Sequence, residues 1–290
     1  MVTMNFSVIS PTTHSELISA IQKNRQFRFG AGYTDLIPEL NKNSEATDVI
    51  INLSNLNDKI FTSITREKRF LRIGAMVTAD QISENFFILK NFPVLHQAAN
   101  TLASQQIRHV ATIGGNICTA SPSGDLACAL VALKSEAEII NVNNKHIKIP
   151  INEFFKGPKQ SVLKKQEILR SVIIPLNEKN YKQHSGFIKV GTRRSMECSV
   201  VSLAYHIQYD KNGLIQKSGV AIGAVAPTIK KTAKAEEFLI NKNIFSFSDM
   251  HKEEFAQLIL SYSSPISDVR ASAWYRKEVL YNISKGVFRL

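Results

Sequence analysis

Short apolar runs alternate with polar, turn-forming stretches along this chain, and the apolar period changes from element to element. Leu17, Ile18 and Ile21 recur at helical spacing and predict a helix over Ser15 to Lys23. Phe27 to Phe29 and Val49 to Leu53 predict short strands, with a helix over Leu36 to Leu40 between them. Lys59 to Thr65 and Phe70 to Ala75 alternate and predict a hairpin around Arg66-Glu67-Lys68. Thr78 and Gln81 have capping-box spacing and predict a helix start. Pro93 to Ser104 reads as a helix with Pro93 in its first turn. Leu126 to Leu133 is apolar throughout and predicts a buried helix. Glu138 to Val142 and Lys145 to Ile149 predict a hairpin across Asn143-Asn144, and Ile168 to Ile174 a further strand.

Leu176 to Ser185 is polar and turn-prone, a candidate linker. Beyond it, Gly186 to Gly191, Val200 to Tyr209 and Ile215 to Val225 predict three strands. Helices follow near Lys234 to Ile240, Glu253 to Ser261 and Ala271 to Ser284. Strands followed by helices indicate an α+β domain. The expected organisation is a first domain over residues 1–176, in subdomains 1–57 and 58–176, and a second over 185–290.

Two glycine-containing loops break this pattern. Phe27-Arg28-Phe29-Gly30-Ala31-Gly32-Tyr33-Thr34-Asp35 runs from a strand towards a helix. Thr112-Ile113-Gly114-Gly115-Asn116 leads through small residues to Asp125, just before the apolar helix. Gly114 and Gly115 are free to take φ > 0 and to let a ligand lie against the peptide plane. Asn116 tolerates a left-handed conformation too. One such loop reads as a tight turn. Two strand–loop–helix units suggest one extended ligand held by backbone amides, with phosphate or pyrophosphate the natural anion. Asp125 has two readings, an N-cap for the helix or a ligand contact.

Composition narrows the function. The chain has 290 residues, 44% of them hydrophobic, enough for about two cored domains. No apolar run approaches the ~20 residues of a membrane span. The start of the chain lacks a basic region followed by an apolar core, so no signal peptide is expected and the cytoplasm is the default. The net charge is +12, but the basic residues are scattered and do not interleave with aromatics. A solvated surface is the first explanation and docking to an acidic partner the second; nucleic acid is not an expected partner. Cys118, Cys128 and Cys198 form no C-x-x-C pair, which argues against disulfides and against a zinc or iron–sulfur site. None of the seven His forms an H-x-x-x-H pair, and no nucleophile–base pair is evident. This suits a protein whose chemistry belongs to a bound cofactor.

At this point the residues resemble a family. Gly30-Ala31-Gly32-Tyr33-Thr34-Asp35-Leu36 is similar to the A-G-G-T-D-L loop of the FAD-binding subunits of molybdenum hydroxylases. Thr112 to Ile117, with Ala120-Ser121-Pro122 and Asp125, resembles that family's second FAD loop, and Gln105 to Val110 the segment before it. Phe154-Phe155-Lys156-Gly157, then Glu167-Ile168-Leu169, resembles the xanthine dehydrogenase branch. The resemblance implies a two-subdomain FAD-binding domain of the vanillyl-alcohol-oxidase (PCMH) type, followed by an α+β domain with a three-stranded sheet and helices. It implies FAD on this chain, molybdopterin on a large partner subunit and [2Fe-2S] clusters on a small one. Electrons would leave to NAD+ or another acceptor.

By the same resemblance, cofactor contacts come from Arg28, Phe29, Gly30, Ala31, Gly32, Tyr33, Thr34 and Asp35 in the first loop. Thr112, Ile113, Gly114, Gly115 and Asn116 supply them in the second. Leu102, Asp125 and Leu169 join them, and Lys189 would bring a cation near the flavin ring. Arg193 and Arg194 are further basic candidates. The chain departs from the family at Tyr33, where bacterial members carry glycine, and at Pro158-Lys159, where animal xanthine dehydrogenases carry Tyr-Arg. The second departure leaves the electron acceptor open. A stand-alone FAD oxidoreductase of the same fold group and a non-catalytic nucleotide-binding assembly subunit are the alternative readings.

Overall fold

The computed structural model describes residues 6–42, 49–178, 180–193 and 198–288. The chain opens with β1 (Ser7–Ile9), α1 (His14–Lys23), β2 (Arg28–Gly30), α2 (Leu36–Lys42) and β3 (Val49–Asn52). The three strands form a parallel sheet in the order β1-β3-β2. Thr13 and Glu16 close a capping box at the start of α1, and its buried Leu17 and Ile21 face the core.

Next come α3 (Lys59–Thr62), β4 (Ile64–Arg66), β5 (Phe70–Gly74), α4 (Ala79–Glu84), α5 (Phe86–Asn91), α6 (Pro93–Asn100), α7 (Gln105–Val110), α8 (Ile113–Cys118) and α9 (Asp125–Ala132). The hairpin expected from Lys59 begins later than the sequence indicates. Asp58 accepts from Ile60 N and caps a helical turn, so only β4 pairs with β5. The helix predicted over Pro93 to Ser104 ends at Asn100, and Ser104 caps the separate α7. Thr78 and Gln81 form the expected capping box of α4.

β6 (Glu136–Asn141), β7 (His146–Pro150), β8 (Phe155–Gly157), β9 (Gln160–Ser161) and β10 (Glu167–Pro175) follow. A five-stranded sheet runs in the order β4-β5-β10-β6-β7. Asn144, at φ 56°, makes the turn between β6 and β7. The expected linker is shorter than the sequence indicates, because a strand already begins at Lys182; Asn177 ties the remainder down, donating to Asn91 O and Gln183 Oε1 at 3.1 and 2.8 Å.

The C-terminal part contains β11 (Lys182–Val190), β12 (Val201–Tyr209), β13 (Ile215–Gly223), β14 (Lys230–Lys231), α10 (Ala233–Leu239), α11 (Asp249–Leu260) and α12 (Ala273–Lys285). The three predicted strands form an antiparallel meander, widened to four by the two-residue β14. Every residue of α9 is buried. An all-round apolar helix belongs between layers, and α9 packs against α6 on one side and against β12 and β13 on the other. Leu126 and Leu130 are fully enclosed, each worth roughly 2 kcal/mol of burial. Gly219 of β13 permits that approach, since a Cβ there would lie 1.9 Å from Ala132 O. Phe187, Ala204 and Ala221 of the C-terminal sheet therefore join the core of the first part.

Candidate functional site

The first loop is built around an uncommon residue. Tyr33 has φ 60°, the left-handed region that bulky residues seldom adopt. Its side chain packs on the small core of Leu36, Leu40 and Ile50, which offsets the backbone strain. Gly32 abuts the end of α7, where a Cβ would stand 2.0 Å from Val110 O. Among the described residues, no protein acceptor takes the amides of Ala31, Gly32, Tyr33, Thr34 or Asp35. Five successive free donors around a left-handed residue form a concavity suited to an anion. Arg28 does not face that task alone, because its Nη2 donates to Glu39 Oε2 at 2.6 Å. Phe29 packs edge-on against Phe27 with ring centroids 5.1 Å apart.

The second loop differs from the expectation. Thr112 is the N-cap of α8, and Ile113 to Asn116 are helical; neither Gly114 nor Gly115 has positive φ. The amides are already engaged. Ile113 N donates to Val77 O, Gly114 N to Ala75 O, Gly115 N to Thr112 Oγ1 and Asn116 N to Thr112 O. The glycines serve close packing instead. A Cβ on Gly114 would lie 2.6 Å from Ala75 O, whereas one on Gly115 would meet only Thr112 Oγ1, at 3.0 Å. The two loops touch, since Thr119 Oγ1 donates to Asp35 Oδ2 at 3.0 Å.

Asp125 is not the N-cap of α9. Gly124 occupies that position without a side-chain cap, and Asn116 Oδ1 accepts from Ala127 N at 3.2 Å in its place. Asp125, 5% exposed, is freed for other partners. Its Oδ2 lies 2.6 Å from Lys189 Nζ, and its Oδ1 accepts from Ser199 Oγ at 2.6 Å. Lys189 Nζ also donates to Thr101 O at 3.1 Å, beside Leu102. Burial pushes the Asp125 carboxyl above its ordinary range, while Lys189 and Ser199 pull it back. The buried cluster spans the seam, with the carboxylate on the first part and both partners on the second.

Leu102 and Leu169 are buried in the main core. Leu169 precedes a bulge at which Arg170 O accepts from Ala75 N at 3.0 Å, the residue on which Gly114 rests. Lys159 has φ 57° and its amide donates to Ala120 O at 3.1 Å, so the loop that departs from the family closes over the second loop. Arg194 lies outside the described residues. Sequence reasoning missed Ser199, Thr101 and Thr119; a lone Ser, Thr or backbone carbonyl carries no pattern that marks it. Among the described residues no group of His, Cys, Asp and Glu could hold a metal ion.

The described donors fit a dinucleotide cofactor, with free amides in the first loop suited to its pyrophosphate. Comparison with known proteins agrees. The family model for the FAD binding domain in molybdopterin dehydrogenase matches residues 4–177, and that for the CO dehydrogenase flavoprotein C-terminal domain matches residues 187–289. The chain is 30% identical over 275 residues to the xanthine dehydrogenase FAD-binding subunit of Escherichia coli O157:H7, covering 95% of this chain and 92% of that protein. It is 26% identical to the glyceraldehyde dehydrogenase medium chain of Sulfolobus acidocaldarius, covering 98% and 97%. A chain of carbon monoxide dehydrogenase from Hydrogenophaga pseudoflava shares the fold, with a TM-score of 0.90 at 20% identity over 99% of this chain and 96% of that one. The chain belongs to the family of FAD-binding subunits of molybdopterin-dependent dehydrogenases, with a C-terminal domain of the CO dehydrogenase flavoprotein type.

Proposed function

We propose that this chain is the electron-exit subunit of a molybdenum hydroxylase close to the xanthine dehydrogenase branch. Electrons arrive from [2Fe-2S] clusters on a small subunit, which are fed by molybdopterin on a large one, and leave through FAD to NAD+ or another acceptor. Bound FAD supplies the exchange between one-electron and two-electron chemistry. The carrying observation is the run of free amides from Ala31 to Asp35, joined to the end of the second loop through Asp35 and Thr119.

The residues divide the work. Ala31 to Asp35 hold the pyrophosphate, with Arg28, Phe29 and Gly30 shaping the approach. Thr112 to Asn116 present a surface that Gly115 leaves without a Cβ. Leu102 and Leu169 close the apolar side. Lys189 brings positive charge, and Asp125 fixes where that charge sits. Such a cation raises the affinity for an electron-rich partner. Burial holds the Cys118 thiol protonated, with its pKa pushed up to about 12, which supports non-covalent attachment. Residues 1–176 and 185–290 form the two domains in this reading. No described helix is long and apolar enough to cross a membrane, and a cytoplasmic complex is part of the proposal.

The test begins with acid precipitation of the purified chain, which should leave yellow FAD in the supernatant. The isolated chain should contain neither molybdenum nor iron and should not hydroxylate substrate until both partners are added. NADH-to-dye activity supports NAD+ as acceptor, and its absence with a reducible flavin assigns another. Colourless protein would overturn the cofactor reading. Association driven by the net +12 charge should weaken with salt, because exposed charges are screened over about 8–10 Å at physiological ionic strength.

A further inference from the structure

Arg276 of α12 places a guanidinium in the interior, 3% exposed. Its Nη1 donates to Val200 O and to Ala224 O, both at 2.8 Å, and its Nη2 donates to Asp268 Oδ1 at 2.8 Å. A buried guanidinium is costly unless its donors are met, so an apolar residue would fill this position more simply if packing were its only purpose. Both carbonyls border the site. Val200 follows Ser199, whose hydroxyl donates to Asp125 Oδ1. Ala224 has φ 63°, and its amide donates to Pro122 O at 2.7 Å in the segment that enters α9. Gly223, beside it, has no room for a side chain, since a Cβ would lie 2.5 Å from Ser202 Oγ and 3.2 Å from Pro122 O.

We propose that Arg276 is a positioning residue for the Asp125–Lys189 pair. Through Val200 it fixes Ser199, and through Ala224 it fixes the approach to α9. It touches neither member of the pair. Asp125 Oδ1 has Ser199 as its partner and Oδ2 has Lys189, so loss of the Ser199 hydroxyl leaves one oxygen of a buried carboxylate without a donor. The groups that face Asp125 are Lys189 from β11, Ser199 ahead of β12 and the Cys128 thiol from α9 itself. The inference rests on the FAD reading only for its effect on cofactor affinity, because the effect on Asp125 belongs to the apo chain.

The experiment follows the titration of the Asp125 carboxyl carbon by NMR in the apo chain, comparing wild type with Arg276→Met, Arg276→Lys and Ser199→Ala. Arg276→Met should raise the Asp125 midpoint by roughly half a unit or more, because Ser199 is no longer held in place to donate to the charged form. Ser199→Ala should raise it as much, and the double variant should add nothing further, as expected of residues acting in series. Arg276→Lys should fall between, since an ammonium cannot reproduce the planar fork. The FAD dissociation constant should rise roughly tenfold in Arg276→Met, or about 1.4 kcal/mol. An unchanged Asp125 midpoint beside a lowered melting temperature would make Arg276 a structural anchor and overturn the proposal. If the methionine variant fails to fold, Arg276→Lys decides by the same midpoint. Wild-type chain that retains no FAD would sink the cofactor reading alone, since the titration is read without flavin.

Discussion

The ring of Tyr33 stands where a side chain on Gly30 would have to go: a Cβ there would lie 2.4 Å from Tyr33 Cζ. The sequence therefore couples a bulky residue at one loop position to the absence of bulk three residues earlier. Gly30→Ala should destabilise the chain by about 1–2 kcal/mol through overpacking. In a Tyr33→Gly background the same change should cost less than half of that. Urea unfolding of the four proteins checks this, and equal costs in both backgrounds would show that the contact does not matter.

Gly114 and Gly115 are adjacent but should respond differently. Gly114→Ala meets the Ala75 carbonyl at 2.6 Å and should lower apo stability. Gly115→Ala meets only a hydroxyl and sits in a helix, where alanine gains up to about 1 kcal/mol over glycine. Its apo melting temperature should hold or rise while FAD retention falls. Undiminished FAD occupancy in that variant would place the cofactor away from Gly115.

The Asp125–Lys189 pair predicts an asymmetry. Asp125→Ala leaves a nearly buried ammonium without its carboxylate and should cost about 3 kcal/mol, more than the ~1 kcal/mol of a lost helix cap. Asp125→Ala combined with Lys189→Met removes both charges and should recover much of the loss. Thermal unfolding of apo proteins supplies the comparison, and additive losses would contradict it.

His206 predicts an acid-sensitive seam. Its Nε2 lies 2.9 Å from Asn177 Oδ1 and its Nδ1 3.0 Å from Ser185 Oγ. Asn177 uses its amide nitrogen on Asn91 O, so its oxygen faces the ring and Nε2 carries the proton. Burial lowers the pKa of His206 from 6.5 to about 4. The folded value lies below the unfolded one, so the neutral form stabilises the fold above pH 6.5, and that stability drains away as pH falls towards 4. The loss should be on the order of 3 kcal/mol. His206→Gln should flatten the stability–pH curve over that window; an unaltered slope would assign the acid sensitivity elsewhere.

Much of the frame was legible in the sequence because periodicity and capping are local. The three long strands of the C-terminal sheet, the α4 capping box and the β6–β7 turn follow from neighbouring residues, though β11 begins four residues before its expected start and β14 was not foreseen. Lys59 to Thr62 deceived because alternation over four residues suits a strand as well as a turn of helix, and Asp58 decides for the helix. The second loop was located in the sequence with the wrong geometry, since its glycines are helical. Gly114 is small to fit against Ala75, which is distant in sequence, and no local rule reveals that. Asp125 was singled out, but its cap is supplied by Asn116 and its hydroxyl partner by Ser199, 74 residues away.

The placement of Asp125 on one side of the seam and of Lys189 and Ser199 on the other limits how such chains can be recombined. A chimera joined within the linker, taking its first half from this chain and its second from a relative lacking the lysine or the serine, inherits a carboxylate without its complement. Each half can fold correctly and the hybrid still fail at the seam. For engineering, and for gene exchange between relatives, the transferable module is therefore the whole chain.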